Sequence, residues 1–307
     1  MNRDLCVYTC LYGDYESLSD QPIARESSTQ FYCFTDDPEL TSDTWQIIYQ
    51  PPIFPLDPVR SQRLLKIHPP EIVNTFIHSI YVDSSYKLLV NPMDILKKFY
   101  PTSGLTLFSH EFRETLNDEF MAVIDKGLDD HLRIYEQYHH YMGIYPETLL
   151  ESPFHTAMII RRSLDKNVNS VLEVWGAHIS RYSRRDQLSI NAALRQCNFI
   201  PDIFKVDLYA SEFTSYNFGR KPNRSLGIRD PKRSIMPAVI QEYLTLKIHN
   251  EYQIKLQQSR QAKFKKKEYV QLFAKVKRFL LRFKFFLYVR SILLNHFPRI
   301  ANKFKKR

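Results

Sequence analysis

Apolar positions fall into short blocks whose period alternates between that of strands and that of helices. Leu5–Tyr12, Phe31–Thr35 and Trp45–Tyr49 are aromatic and β-branched runs parted by Gly, Asp, Ser and Pro, which predicts three early strands joined by loops. Asp57-Pro58 then offers a side-chain cap and a proline suited to the first helical position, so a helix is predicted to start there. Phe76–Val82 reads as a further strand ending abruptly on Asp83, and Asn91-Pro92 opens another helix by the same logic. Leu105–Phe108 and Thr156–Arg161 add strands, while Glu114–Tyr141, Asn169–Ser180 and Arg185–Gln196 carry helical periodicity. Alternation of strands with helices predicts an α/β sandwich around a mostly parallel sheet. Residues 209–233 lose periodicity and collect Asn, Ser, Gly, Pro and Arg, and helix is predicted to resume over Ala238–Gln258.

Composition narrows this picture at two points. The 307 residues hold only 7 glycines, where average usage gives about 20, and no two lie closer than eight positions. That spacing excludes the dinucleotide fingerprint, the P-loop and the nucleophile elbow, which all need glycines close together for tight turns. Charge is also unevenly divided. From Arg260 to Arg307 there are 16 Lys or Arg against the single acid Glu268, leaving 27 basic and 32 acidic residues before it. A mildly acidic body thus precedes a strongly basic tail. The four cysteines, Cys6, Cys10, Cys33 and Cys197, form no C-x-x-C and are too sparse for a disulfide scaffold. With no signal-peptide pattern at the N-terminus and no run of 18 apolar residues, a cytoplasmic protein is expected.

Four constellations could carry chemistry. Asp83-Ser84-Ser85 follows a strand, where open α/β sheets bind ligands, and a carboxylate beside hydroxyls suits Mg²⁺ or Mn²⁺ bridging a diphosphate, although it fits a plain turn too. Arg60, Arg63 and Lys66 recur at threes on the Pro58 helix, as a diphosphate clamp or as a solvated face. In Ser183-Arg184-Arg185-Asp186-Gln187-Leu188-Ser189-Ile190-Asn191, Gln187 and Asn191 share a helical face and Asp186 occupies the first turn. There the dipole keeps a carboxylate ionised, as a base, a sugar-hydroxyl ligand or simply a cap. His110-Glu111-Phe112-Arg113, followed by Asp118 and Glu119, places an imidazole after a strand but is not H-E-x-x-H, because residue 114 is Glu.

In this order the segments resemble one family, the TOD/MUCI-type glycosyltransferase-like domains, over roughly residues 5–200. The resemblance rests on Val7-Tyr8-Thr9-Cys10-Leu11-Tyr12-Gly13-Asp14-Tyr15, Cys33-Phe34-Thr35-Asp36-Asp37, Arg60 through Pro69, Tyr81-Val82-Asp83-Ser84-Ser85, His110-x-x-Arg113, Glu119, Ile160-Arg161-Arg162 and Ser183 through Ser189. It implies a GT-A-like, Rossmann-type mixed sheet sandwiched by helices over residues 1–206; the composition that follows predicts an irregular, then helical, extension over 207–258 packed on the body. A glycosyltransferase would move a hexose from a nucleotide-diphosphate sugar to a glycan or lipid-linked glycan acceptor in cell-surface polysaccharide synthesis. By the same resemblance Tyr8, Thr9, Tyr12, Gly13, Asp36 and Asp37 line the nucleotide site, and Arg60, Arg63 and Lys66 neutralise the diphosphate. Asp83 and Ser85 would hold a divalent cation, while Asp186, Gln187 and His110 serve catalysis. Ser85 stands where a second carboxylate is usual, so cations could replace the metal in stabilising the leaving group. A scaffold that keeps the fold without transfer is the alternative.

The tail, residues 259–307, repeats apolar positions at threes and fours from Leu272 to Leu294, with Lys275, Arg278 and Arg282 on a separate stripe. A basic amphipathic helix suits the anionic inner face of a membrane. Nucleic acid fits less well, since the body is acidic and an apolar stripe is wasted on a polyanion.

Overall fold

The computed structural model describes residues 3–13, 16–217, 250–259 and scattered positions from 261 to 291. Two compact units divide the chain, residues 1–236 and 237–307. The first contains β1 (Leu5–Leu11), β2 (Gln30–Thr35), β3 (Gln46–Tyr49), α1 (Pro58–Ile67), α2 (Glu71–Asn74), β4 (His78–Val82), β5 (Tyr86–Leu88), α3 (Pro92–Lys98) and β6 (Leu105–Phe108). It continues through α4 (Leu116–Asp125), α5 (His131–Ile144), β7 (Met158–Arg162), α6 (Lys166–Arg181), α7 (Ile190–Gln196), β8 (Asp202–Phe204) and β9 (Thr214–Tyr216).

Seven strands form one mixed sheet in the order β3-β2-β1-β4-β7-β6-β8. Neighbours pair in parallel except at β7, which runs against both β4 and β6. The expected α/β sandwich is therefore present, with one strand reversed. Both faces are covered, which is why the central strands read as nearly continuous apolar runs. Tyr8, Cys10, Tyr81 and Ile159 face a core closed by α1 and α6, where Trp175 and Ile179 sit. Val7, Ile80, Val82 and Ile160 face the other core, with Ile95, Phe99 and Phe108.

Local sequence sets the helix ends that matter for the site. Asp57 caps α1 by accepting from the Arg60 amide, and Thr115 with Asp118 forms a capping box at α4. The long helix expected over Glu114–Tyr141 is two helices, α4 and α5, because Gly127 adopts a left-handed φ of 57° and Asp130 caps anew. The helix expected over Arg185–Gln196 begins as a 3₁₀ turn, Asp186–Leu188, before α7. Gly176 lets α6 approach α1, since a Cβ there would sit 2.2 Å from the His68 ring.

Part of the segment expected to be irregular is ordered: β9 pairs with β5, placing Tyr216 opposite Tyr86. In the second unit residues 250–259 form an exposed helical segment, and Lys275, Arg278 and Arg282 are helical and exposed. Most of the apolar tail stripe lies outside the described residues. No helix among the described residues is long and apolar enough to cross a membrane.

Candidate active site

A cavity of about 240 Å³ opens where β4 and β6 end and β7 begins, the edge of an α/β sheet where ligands bind. Its inner end is built by α1. Arg63 and Lys66 lie one turn apart and reach across to Asp83, just past β4, and to Asp186 on the 3₁₀ turn. Lys66 Nζ lies 2.5 Å from Asp186 Oδ2 and 3.4 Å from Asp83 Oδ1; Arg63 lies 3.6 Å and 3.9 Å from the same two carboxylates. The Tyr81 hydroxyl donates to Asp83 at 2.7 Å, and Thr156 donates to Asp186 at 2.8 Å. Burial alone would push the Asp186 carboxyl up, but the Lys66 ammonium and then the Arg63 guanidinium hold it well below the usual range. Asp186 is thus a fixed negative charge and a poor base.

The support beneath this cluster is also visible. Buried Arg161 of β7 donates to the Ile67 and Lys66 carbonyls and to the Tyr8 hydroxyl, which itself donates to the Lys66 carbonyl. A cation thereby caps the C-terminus of α1 and fixes the backbone that carries Lys66. Ser183 and Arg184 bind Asp129, and Arg184 also reaches Asp57, so the 183–184 segment is anchored on both sides before Asp186 turns into the cavity. Arg60 is spent elsewhere: it pairs with Asp57 at 2.9 Å and caps α6 through the Ile179 and Tyr182 carbonyls.

The outer end is aromatic and cationic. Tyr86, Tyr209, Tyr216 and Phe112 line it with His110, His155, Arg113, Glu119, Lys126 and Arg185. His155 Nδ1 lies 2.8 Å from Glu111 and its Nε2 lies 3.0 Å from the Tyr86 hydroxyl, which shares a hydrogen bond with Tyr209. Glu111 also accepts from the Leu208 amide at 2.8 Å, tying the 207–216 wall to the body. Burial would push the Glu111 carboxyl up, but the hydrogen bond with His155 holds it below its usual value. His110 Nδ1 accepts from the Phe112 amide, leaving Nε2 directed at Glu119, 3.8 Å away. Burial, then the neighbouring His155, pulls His110 down to about 4, so it is neutral at pH 7. Burial pushes the Glu119 carboxyl up despite Arg185 and Arg113 nearby.

Of the residues singled out by sequence, Arg63, Asp83, Ser85, His110, Asp186 and Gln187 line this cavity. Arg60 does not join Arg63 and Lys66, because Asp57 and the carbonyls ending α6 hold it. Tyr8 and Thr9 are fully buried in the central strand, and the Tyr12 hydroxyl is committed to the Gln50 carbonyl, so none offers its polar group to a nucleotide. Asp36 clasps the Gly13 amide at 3.0 Å, joining the carboxyl ends of β1 and β2, and Asp37 caps a turn at Glu39. Gln187 and Asn191 do not work side by side: Gln187 accepts from Arg185, while Asn191 donates to Glu151 and the Ser152 carbonyl beside a separate cavity. Sequence reading missed His155 and Tyr86 because neither lies in a spacing motif. Glu111 and Arg185 stood inside quoted motifs without an assigned role.

Among the described residues no three His, Cys, Asp or Glu side chains converge on a metal-sized space, and the Lys66 ammonium already bridges the two carboxylates.

A family model described as "TOD1/MUCI70, glycosyltransferase-like domain" matches residues 2–216. Among solved structures, the apo structure of the bifunctional glycosyltransferase WbbM matches 68% of this chain and 39% of its own, at 6% identity and a TM-score of 0.41. Apo mouse xyloside xylosyltransferase 1 matches 66% of this chain and 85% of its own, at 11% identity and a TM-score of 0.36. No curated protein matches the chain.

Proposed function

Since the chain belongs to the TOD1/MUCI70 glycosyltransferase-like domain family, we propose that its cavity binds a nucleotide-diphosphate sugar and passes the sugar to an acceptor hydroxyl. The observation that carries this reading is the convergence of Asp83, Asp186, Arg63 and Lys66 at the carboxyl edge of the sheet. The nucleoside lies over the ends of β1 and β2, near the Gly13–Asp36 clasp, and the diphosphate reaches the β4 end. In the transfer, the bond from sugar C1 to the phosphate oxygen breaks and its electron pair leaves with the nucleoside diphosphate. The acceptor oxygen bonds to C1, and its proton goes to Glu119, a buried carboxyl whose raised affinity for protons suits a general base. Asp186, permanently charged, stabilises positive charge developing on the sugar ring. Arg63 and Lys66 substitute for a metal at the leaving group, so activity should persist in EDTA.

Thermal stabilisation by UDP, GDP, CMP and their sugars, with and without Mn²⁺ or Mg²⁺, tests this directly, since a ligand of the native state raises its melting temperature. A rise with one nucleotide in EDTA is the expected outcome. No rise with any of them would leave the non-catalytic scaffold in its place. Glu119→Gln should lower kcat by about 100-fold while nucleotide affinity holds.

A lipid-linked glycan acceptor, cytoplasmic placement and docking of residues 260–307 on an anionic bilayer complete the proposal, supported by the 16 basic residues of that segment. Truncation at Gln258 should release the protein from anionic liposomes at low salt.

A further inference from the structure

The charges lining the cavity are not balanced alike at its two ends. At the inner end Arg63, with Lys66 buried beneath it, meets Asp83 and Asp186, and Glu16 adds a third carboxylate to the lining. Towards α4 three cations, Arg113, Lys126 and Arg185, share the wall with Glu119. Arg113 pairs with that carboxylate at 3.3 Å. Neither Lys126 nor Arg185 forms an ion pair with a carboxylate among the described residues. The Arg185 guanidinium donates to the neutral Gln187 side chain, and its Nε is buried without a partner. Leaving a buried guanidinium nitrogen unsatisfied is costly unless something arrives to meet it.

The place of this surplus along the sheet gives it a meaning. Counting from β2, the order is β1, β4, β7, β6. The Gly13–Asp36 clasp lies over β1 and β2, Asp83 ends β4, His155 precedes β7, and His110 to Arg113 follow β6, with Lys126 ending α4. A donor laid from β2 towards β4 has its phosphates at Asp83, so the three cations lie beyond the transferred sugar. That side also carries the aromatic wall of Phe112, Tyr209 and Tyr216, whose faces suit the C–H face of a pyranose.

We infer that this outer end is an acceptor subsite for an acidic sugar, in which Arg185, Lys126 and Arg113 hold an oxyanion, a uronate carboxylate or a sugar phosphate, and place the neighbouring hydroxyl at Glu119. The inference rests on the transferase reading of the same cavity. Guanidinium and ammonium groups bind both oxyanions by charge-assisted hydrogen bonds, and a forked guanidinium favours a two-oxygen partner.

Calorimetry on the full chain with a hexuronate trisaccharide, its carboxyl-reduced neutral counterpart and a hexose 1-phosphate tests the assignment, with UDP and GDP titrated in parallel. One acidic probe should bind at least about tenfold tighter than the neutral trisaccharide, with the advantage shrinking at high salt. Whichever acidic probe wins identifies the source of the oxyanion. Lys126→Ala, a change at an exposed position that leaves the core intact, should erase about three- to tenfold of that preference without altering nucleotide affinity, and Arg185→Gln should do more. Binding of both acidic probes no tighter than that of the neutral trisaccharide overturns the inference. So does a pattern in which both variants weaken the nucleotide and spare the glycan, because the cations would then belong to the donor phosphates. Acidic-glycan binding with no nucleotide binding would keep this subsite and remove the transferase reading; nucleotide binding with no glycan binding would do the reverse.

Discussion

The two ends of the cavity show how differently a protein can hold charge. At the α1 end Lys66 and Arg63 are almost fully buried, and each faces both Asp83 and Asp186, so the cluster is nearly neutral as a whole. At the α4 end Lys126 is exposed and Arg185 half-buried, with no carboxylate on either among the described residues. Saturated charges hold a fixed geometry for whatever binds above them; unsaturated ones keep more of their field for a ligand. The comparison also separates two kinds of arginine within one motif, since Arg184 is consumed by Asp129 and Asp57 while its neighbour Arg185 faces the cavity.

Breaking the saturated end should have the largest effect. Lys66→Met leaves two carboxylates without their bridging cation and should cost about 3–5 kcal/mol of stability in chemical denaturation. Adding Asp186→Asn to Lys66→Met should recover at least half of that loss; a strictly additive double variant would mean that the two side chains are not coupled.

A medium effect is expected at the outer end from pH. His110 is held neutral in the folded chain with its value near 4, against about 6.5 when unfolded. The unfolded state therefore binds the extra proton between those limits. Stability from this group is complete above about pH 6.5 and falls as pH drops towards 4, by about 2 kcal/mol once the roughly 3 kcal/mol of the full shift is reduced for partial solvent screening. His110→Gln should flatten that part of the profile, and an unchanged slope would place the titration on other histidines.

The smallest effect is expected at the floor of the inner end. Tyr8→Phe should lose about 1–2 kcal/mol through its bonds to Arg161 and the Lys66 carbonyl, yet leave nucleotide affinity unchanged, because this ring never reaches the cavity. A marked loss of nucleotide binding without loss of stability would return Tyr8 to the ligand.

Much of the sheet was legible because β1, β2, β4 and β7 are nearly wholly buried apolar runs of five to seven residues, set off by signals such as Asp83 after Val82 and Asn91-Pro92 before α3. The strands β5, β8 and β9 were not, since three residues carry no period. Nor could local pattern show that β7 runs against its neighbours, because side-chain alternation is the same in either direction. The break at Gly127 was written in the sequence, with Asp130 as a fresh cap, but apolar periodicity running through it hid the stop. In the site, Asp83 and Asp186 were readable as carboxylates next to turns, and Arg63 and Lys66 as a helical pair. Their meeting, and the diversion of Arg60 to the end of α6, depend on how α1 crosses the sheet, which spacing along one helix does not encode. His155 gave no local sign at all: its importance comes from Glu111 and Tyr86, 44 and 69 residues away in the chain.

The clasp from Glu111 to the Leu208 amide has one more consequence. It lets the aromatic panel of Tyr209 and Tyr216 be rebuilt without disturbing the ion cluster beneath the opposite end. On the proposed reading, exchanging this panel changes which glycan the cavity grips while the sheet edge stays as it is.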